Sequence, residues 1–167
     1  MQGQVRPQDR AHAGRPAGIA LLIQLSIIEF VHGEGIIHRD LKLENLCMGV
    51  DSSFFQLYLI DFGLSKKYID PANNKHIPLK SGKSLLGSIE YASLNNHTGK
   101  GTLKLRTELS RRDDIESIAY LLMHLYLGSL PWSHLTNDEK GNENEAKILA
   151  MKKEYLDSPV ADKVPGS

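Results

Sequence analysis

The chain has 167 residues, 41% of them hydrophobic and 24% charged, and its 20 Lys plus Arg balance its 20 Asp plus Glu. That composition suits one ordinary globular domain with enough chain to bury a core, and the charge balance gives no ground for a nucleic-acid or membrane partner. Cys47 is the only cysteine, so no intramolecular disulfide can form; this suits a reducing compartment, and the cytoplasm or nucleus is the expected location.

Residues 1–18 are rich in Gln, Arg, Gly and Pro without an apolar period, which predicts a disordered lead-in. The longest apolar run, Gly18–Val31, is broken by Gln24, Ser26 and Glu29. It is too short and too polar to span a bilayer, and it begins too late, behind several charges, for a secretory signal. Leu21, Leu22, Leu25, Ile28, Val31 and His32 recur at three- and four-residue spacing, which predicts a helix stopped by Gly33 and Gly35. Next comes Ile36–Asn45, reading I-I-H-R-D-L-K-L-E-N. Leu46-Cys47-Met48 is apolar, Gly49–Ser53 is turn-like and Phe54–Ile60 is rich in β-formers. A hairpin is expected, with Asn45 at one end and Asp61-Phe62-Gly63 at the other.

Ser65–Leu86 is polar and basic and is expected to be a long ordered loop, closed by Gly87–Ser93; a Gly- and Lys-bearing connection, Asn95–Leu109, follows. Ile115, Ile118, Ala119, Leu122, Met123 and Tyr126 share one helical face over 115–127, with Ser110 or Asp113 as the cap. Gly128–Trp132 turns the chain, with Trp132 as a core anchor. Thr136–Glu145 is expected to be a polar loop and Ala146–Leu156 a helix. The seven histidines show no metal-binding spacing, and His38 is expected to be a packed loop residue.

The functional signal lies in the pairing of two segments. In the first, an Asp is followed two residues on by a Lys and five residues on by an Asn (Asp40, Lys42, Asn45); the second is an apolar strand ending in Asp61-Phe62-Gly63. Together they resemble the catalytic loop and metal-binding segment of eukaryotic protein kinases. Phosphoryl transfer from ATP is mostly positioning and charge neutralisation. Asp40 suits acceptance of the hydroxyl proton and orientation of the attacking oxygen. Lys42 places a cation near the transferring group, and Asn45 and Asp61 offer hard oxygen ligands for Mg²⁺. Phe62 is expected to pack inward and Gly63 to let the backbone turn near the nucleotide. Cys47 and Ile60 complete the nucleotide-binding set with Asn45 and Asp61, Cys47 as part of the apolar floor under the adenine.

From about Leu22 to Val160 the chain resembles the casein kinase 1 family. The matching stretches are Ile37–Asn45, Tyr58–Tyr68, His76-Ile77-Pro78, Tyr91-Ala92-Ser93, Ser110–Ser117 (S-R-R-D-D-I-E-S) and Ser129–Trp132. The Y-A-S-x-N and S-R-R-D-D segments discriminate, because most other kinases carry Ala-Pro-Glu where this chain has Ser93-Leu94-Asn95. The resemblance implies an α+β, mainly helical fold: the large C-terminal lobe of a protein kinase over 19–160, with a short β-hairpin at its catalytic edge and a tail over 161–167. It implies ATP with Mg²⁺, protein Ser/Thr substrates near acidic or phosphorylated residues, and a buried helix acid, Asp114, that braces the catalytic loop. Lys42 matches the Ser/Thr class; tyrosine kinases usually carry Ala-Ala-Arg in this loop.

Departures from the family pattern set further expectations. No glycine-rich loop, strand lysine or helix glutamate of a small lobe is recognisable, so the chain is expected to be a large-lobe fragment with doubtful activity in isolation. The alternative is a truncated, inactive lobe that binds a substrate or partner. Leu43 replaces the usual loop proline, Ala119 a helix glycine and Glu90 the family's Arg before Tyr91. The connection from Tyr91 to Ser110 is longer and carries Lys100, Lys104 and Arg106. Lys66, Lys67, Lys80 and Lys83 are either a solvated face or part of an anion and substrate site with Arg39, Ser88 and Glu90.

Overall fold

The computed structural model describes residues 25–51, 56–78, 86–97, 108–136 and 141–157. The expectations for residues 1–18 and 161–167, and those for Lys80, Lys83, Lys100, Lys104 and Arg106, lie outside them. Helix α1 covers 25–33. It ends where Gly35 takes φ +74, a left-handed conformation open to glycine, and a Cβ there would sit 3.2 Å from Ile69. Ile28 and Val31 of α1 are buried, as their spacing predicts.

The chain then makes β1 (Ile36–Ile37), β2 (Leu46–Met48), β3 (Leu57–Leu59), β4 (Lys66–Lys67), β5 (Ile69–Asp70) and β6 (Lys75–His76). The expected hairpin is present as the antiparallel pair β2–β3, with Leu46 opposite Leu59, Cys47 opposite Tyr58 and Met48 opposite Leu57. Strand β1 pairs antiparallel with β4, Ile36 opposite Lys67 and Ile37 opposite Lys66. This brings the segment after α1 beside the segment after Asp61.

The expected loop over 65–86 is more regular in its described part. Strands β5 and β6 form a hairpin, Ile69 opposite His76 and Asp70 opposite Lys75. Its turn rests on Asp70, whose carboxylate accepts from Ala72 N at 2.9 Å and from Asn73 Nδ2 at 2.8 Å, while Asn74 adopts φ +53. Asp and Asn favour such turns because their short side chains bond nearby backbone. Polar composition concealed the strands, since both are exposed or half-buried.

Helix α2 (Leu94–His97) is a single turn inside the expected connection. Helix α3 (Arg111–Leu127) is capped by Ser110, whose N–H donates to the Asp113 carboxylate at 2.6 Å, and stops at Gly128 with φ +83. Its buried residues are Asp113, Asp114, Ile118, Tyr120 and Leu121. The single face expected from spacing is therefore corrected: Ile115 and Tyr126 are exposed, whereas Tyr120 and Leu121 are inside. The helix packs against neighbours on more than one side, so no one stripe describes it.

Helix α4 (Gly141–Asp157) begins five residues before the expected start at Ala146. Asn144 Nδ2 donates to Leu135 O at 3.0 Å, and Glu143 pairs with Lys147 one turn on at 2.8 Å. These polar contacts, not apolar period, fix the first turns. The core joins Ile28 and Val31 to Leu41, Tyr91, Ile118, Tyr120, Leu121, Leu130, Trp132 and Ile148. Among the described residues no helix is long and apolar enough to cross a membrane.

Candidate active site

Strand β1 delivers His38, Arg39 and Asp40 onto the start of α3. Asp114, 2% exposed, accepts from His38 N at 2.9 Å, from Arg39 N at 2.9 Å and bonds His32 Nε2 at 2.8 Å. One buried carboxylate thus takes bonds from two successive amides and a ring nitrogen. This bracing holds Arg39 at φ +70, a strained conformation for a residue with a Cβ. His38 is fully buried, its Nε2 is 3.2 Å from Ile60 O, and Phe62 meets its ring edge-on at 4.9 Å. The histidine is a packed spacer between the two chemical segments, as expected. Phe62 itself remains 43% exposed, so it packs on His38 without entering the core.

Asp40 is buried, with 7% exposure, and both carboxylate oxygens are engaged. Ser88 N donates to Oδ1 at 2.9 Å. Lys42 Nζ lies 3.0 Å from Oδ2, and Asn45 Nδ2 donates to Oδ2 at 3.3 Å and to the Asp40 carbonyl at 2.9 Å. The ammonium of Lys42 is held charged: its hydrogen bond to Asp40 raises its pKa most, opposed by partial burial and reinforced by the charges of Asp40, Glu44 and Asp61. The 3₁₀ turn Leu43–Asn45 sets the Asp40–Asn45 spacing, and Ile60 N donates to Asn45 O at 2.9 Å, tying Asn45 to the strand that leads into Asp61.

Asp61 adopts φ +61 and is exposed; its Oδ1 accepts from Gly63 N at 3.1 Å. A Cβ on Gly63 would stand 3.0 Å from that oxygen, so a side chain there would press on the acid. Asp40, Lys42, Asn45 and Asp61 therefore converge around the open end of the β2–β3 hairpin. Half-buried Cys47 and part-exposed Ile60 lie on the same hairpin edge.

The donor set fits Mg²⁺ with a nucleotide. Asn45 uses its amide nitrogen inward, which leaves Oδ1 available to a cation, and Asp61 keeps a second carboxylate oxygen. Among the described residues no group of three or more His, Cys, Asp or Glu is disposed to hold a metal. Two oxygen donors suit an ion that otherwise keeps water and phosphate ligands, as Mg²⁺ does, and do not suit a closed zinc site.

The proposed anion group is not assembled in the described residues. Arg39 Nε donates to Leu64 O at 2.6 Å and Nη2 to Ser65 O at 3.4 Å, and burial lowers its pKa against the opposing charge of Asp114. Lys66 forms an ion pair with Glu108, and Lys83 lies outside the described residues. Ser88 contributes its amide to Asp40. Glu90 accepts from Ser133 Oγ and lies 3.9 Å from His124 Nδ1, turned toward the loop after α3. For Arg39, Lys66 and Glu90 the reason is the same: each side chain has a nearer partner within the fold.

Two features escaped the sequence reading. Gly87, at φ +75, lies so close to the catalytic segment that a Cβ would fall 2.6 Å from Arg39 O and 2.9 Å from Asp40 Oδ1. Lys152 is fully buried on α4; its four-residue spacing from Ile148 placed a lysine on the apolar face, and that signal was available.

Residues 19–166 match the family model described as Protein kinase domain. The chain therefore belongs to the protein kinase family.

Proposed function

We propose that this member of the protein kinase family transfers the γ-phosphoryl group of ATP to serine or threonine hydroxyls of proteins, and that within the family it is casein kinase 1-like. The described helices and hairpin would then be the large lobe and its catalytic edge. The observation that carries the reading is the three-point hold on Asp40: Ser88 N on one oxygen, Lys42 and Asn45 on the other. A carboxylate so fixed can present a constant direction to an incoming hydroxyl, and orientation is the larger part of such catalysis.

In this mechanism Asp40 accepts the hydrogen bond, and then the proton, of the attacking hydroxyl. Lys42 keeps its positive charge beside Asp40 and offsets negative charge that develops on the phosphoryl oxygens. Asn45 and Asp61 would hold Mg²⁺, and Cys47 and Ile60 would line the nucleotide's apolar contact. When bound, Mg·ATP supplies the phosphoryl group and the neutralising divalent charge. Lys42 two residues after Asp40 supports the Ser/Thr assignment, and the S-R-R-D-D start of α3 with Tyr91-Ala92-Ser93 supports the casein kinase 1 likeness. A location in the cytoplasm or nucleus is part of the same proposal; a single cysteine is compatible with the reducing conditions there.

A second reading has its own support. Met48, Val50, Tyr58, Ile60 and Phe62 are all exposed along the hairpin edge, an apolar strip that suits coverage by another protein surface. On that reading the chain binds a partner without transferring phosphate. One experiment separates the two. The full chain is incubated with γ-labelled ATP, Mg²⁺ and casein, and the product is hydrolysed to phosphoamino acids. Label on Ser or Thr, lost in Asp40→Ala, supports transfer. Absence of transfer together with stable capture of a protein on the hairpin edge supports the second reading, and label on Tyr overturns the Ser/Thr assignment.

A further inference from the structure

Residues 86–97 form a strap over the catalytic segment. Asn96 closes it, its Nδ2 donating to Leu86 O at 2.7 Å and its Oδ1 accepting from Leu86 N at 3.3 Å. At one side of the strap, Gly87 and Ser88 press on Arg39 and Asp40. The opposite side faces α4, which meets it through Glu145, 4.0 Å from His97 Nδ1, and through Lys152. Lys152, with 0% exposure, places Nζ 3.1 Å from Ile89 O, 2.6 Å from Ala92 O and 3.1 Å from His97 Nε2. The rings of Tyr120 and Trp132 lie 4.6 and 5.2 Å from the same nitrogen.

A buried lysine is an expensive way to fill space, since an apolar side chain of similar volume would pack without desolvating a charge. Burial pulls its pKa down to about 7, against the opposing charges of Glu116 and Glu90. What an ammonium provides, and an alkyl chain does not, is three N–H donors from one atom. Here two of them reach carbonyls of the strap and the nitrogen also faces His97 Nε2. Other ties exist at its far end, where Ser93 Oγ donates to Asp113 and Leu94 N to Glu116; closer to Ser88, Trp132 Nε1 donates to Glu90 O at 2.9 Å and Tyr91 N to Ser88 O at 3.2 Å. Next to Ser88, however, the carbonyl of Ile89 is held by Lys152.

We infer that Lys152 is a positioning residue for the transfer reaction: by holding the carbonyls of Ile89 and Ala92 it keeps the Ser88 amide on Asp40 Oδ1. The inference rests on the phosphoryl-transfer reading above and extends it to a residue 112 positions from Asp40 in sequence. Lys152 itself touches no reacting atom. Its effect passes through one peptide unit to the carboxylate that must point at the hydroxyl.

The test uses the full chain and Lys152→Met at pH 6.5, where the ammonium is largely protonated. Amide hydrogen exchange is followed at Ser88, the strap amide bonded to Asp40, and at Leu121 in α3 as a report on the core. Transfer from γ-labelled ATP to casein is measured in parallel. The expected result is Ser88 exchange roughly tenfold faster with Leu121 within about twofold. With it, kcat should fall tenfold or more while KM for ATP stays within about twofold, since misplacement of a catalytic group acts on the chemical step. Unchanged Ser88 protection in Lys152→Met overturns the inference. If Leu121 also exchanges faster, Lys152→Arg decides, because it keeps charge and donors. Protection restored at Ser88 supports the positioning role; protection lost there, or at both amides, overturns it. If the unmodified chain transfers no phosphate, exchange at Ser88 alone decides whether Lys152 holds the strap.

Discussion

Ser88 and Asp40, 48 residues apart, are joined by one hydrogen bond of 2.9 Å from the Ser88 amide to Asp40 Oδ1. The bond is possible because Gly87 brings the backbone closer to Arg39 and Asp40 than any residue with a Cβ could allow. The orientation of the carboxylate therefore depends on a glycine that carries no chemistry.

Gly87→Ala tests that dependence. The added methyl would meet Arg39 O at 2.6 Å in a backbone of φ +75, so both strain and a clash oppose it. The expected loss is about 1–3 kcal/mol of stability, read as a lower urea midpoint with unchanged m-value. A fall in kcat larger than the stability loss explains should accompany it. A variant as stable and active as the parent would show that the strap shifts at no cost.

Asp114→Ala removes the acceptor for His38 N and Arg39 N and leaves both amides stranded beside the core. Each stranded amide costs about 1–3 kcal/mol. Asp114→Asn keeps one acceptor oxygen and should lose less. The two variants should therefore rank Ala below Asn in urea midpoint, and equal midpoints would contradict the bracing role.

Lys152 gives a pH dependence whose sign is fixed. Its pKa in the folded chain is about 7 against an ordinary 10.5. Below pH 7 both folded and unfolded chains carry the proton, and the burial cost is fully present. Between pH 7 and 10 the folded chain releases the proton while the unfolded chain keeps it, so stability rises with pH. The gap between 7 and 10.5 sets a ceiling of about 5 kcal/mol. Urea titrations at pH 6.5, 8 and 9.5 should show this rise, and Lys152→Met should flatten it. An equal slope in the two proteins would mean that another group is responsible.

Asp61→Asn should weaken Mg²⁺-dependent nucleotide binding by at least about tenfold while leaving stability within about 0.5 kcal/mol, because Asp61 is exposed, bonds only Gly63 N among the contacts described, and Asn tolerates its φ of +61. A fluorescent ATP analogue titrated with and without Mg²⁺ gives the comparison. If affinity with Mg²⁺ is unchanged, Asp61 is not a ligand.

The sequence made the catalytic segment legible because its chemistry is local: Asp40, Lys42 and Asn45 lie within six residues, and a strand leads directly into Asp61. The β2–β3 hairpin was legible for the same reason, with apolar runs flanking a turn. What stayed hidden depends on partners distant in sequence. The buried side of α3 is set by packing on several elements, so Tyr120 went in and Tyr126 stayed out. Glu90 looked like a charge for the substrate groove, but Ser133 lies 43 residues away and only folding brings it near. Helix α4 starts early through Asn144 and Leu135, a contact invisible to hydrophobic period.

Trp132 is the single tryptophan of the chain and is fully buried, with Tyr120 and Tyr155 edge-on to its ring at 5.4 and 6.4 Å. Its indole N–H is bound to the carbonyl of Glu90, one residue from the Ile89 carbonyl that Lys152 holds. The protein consequently carries its own optical probe at the underside of the strap. Excitation at the red edge of indole absorbance reads one chromophore in one environment, so a change in its emission on adding nucleotide or peptide would register movement of residues 89–92 without any label.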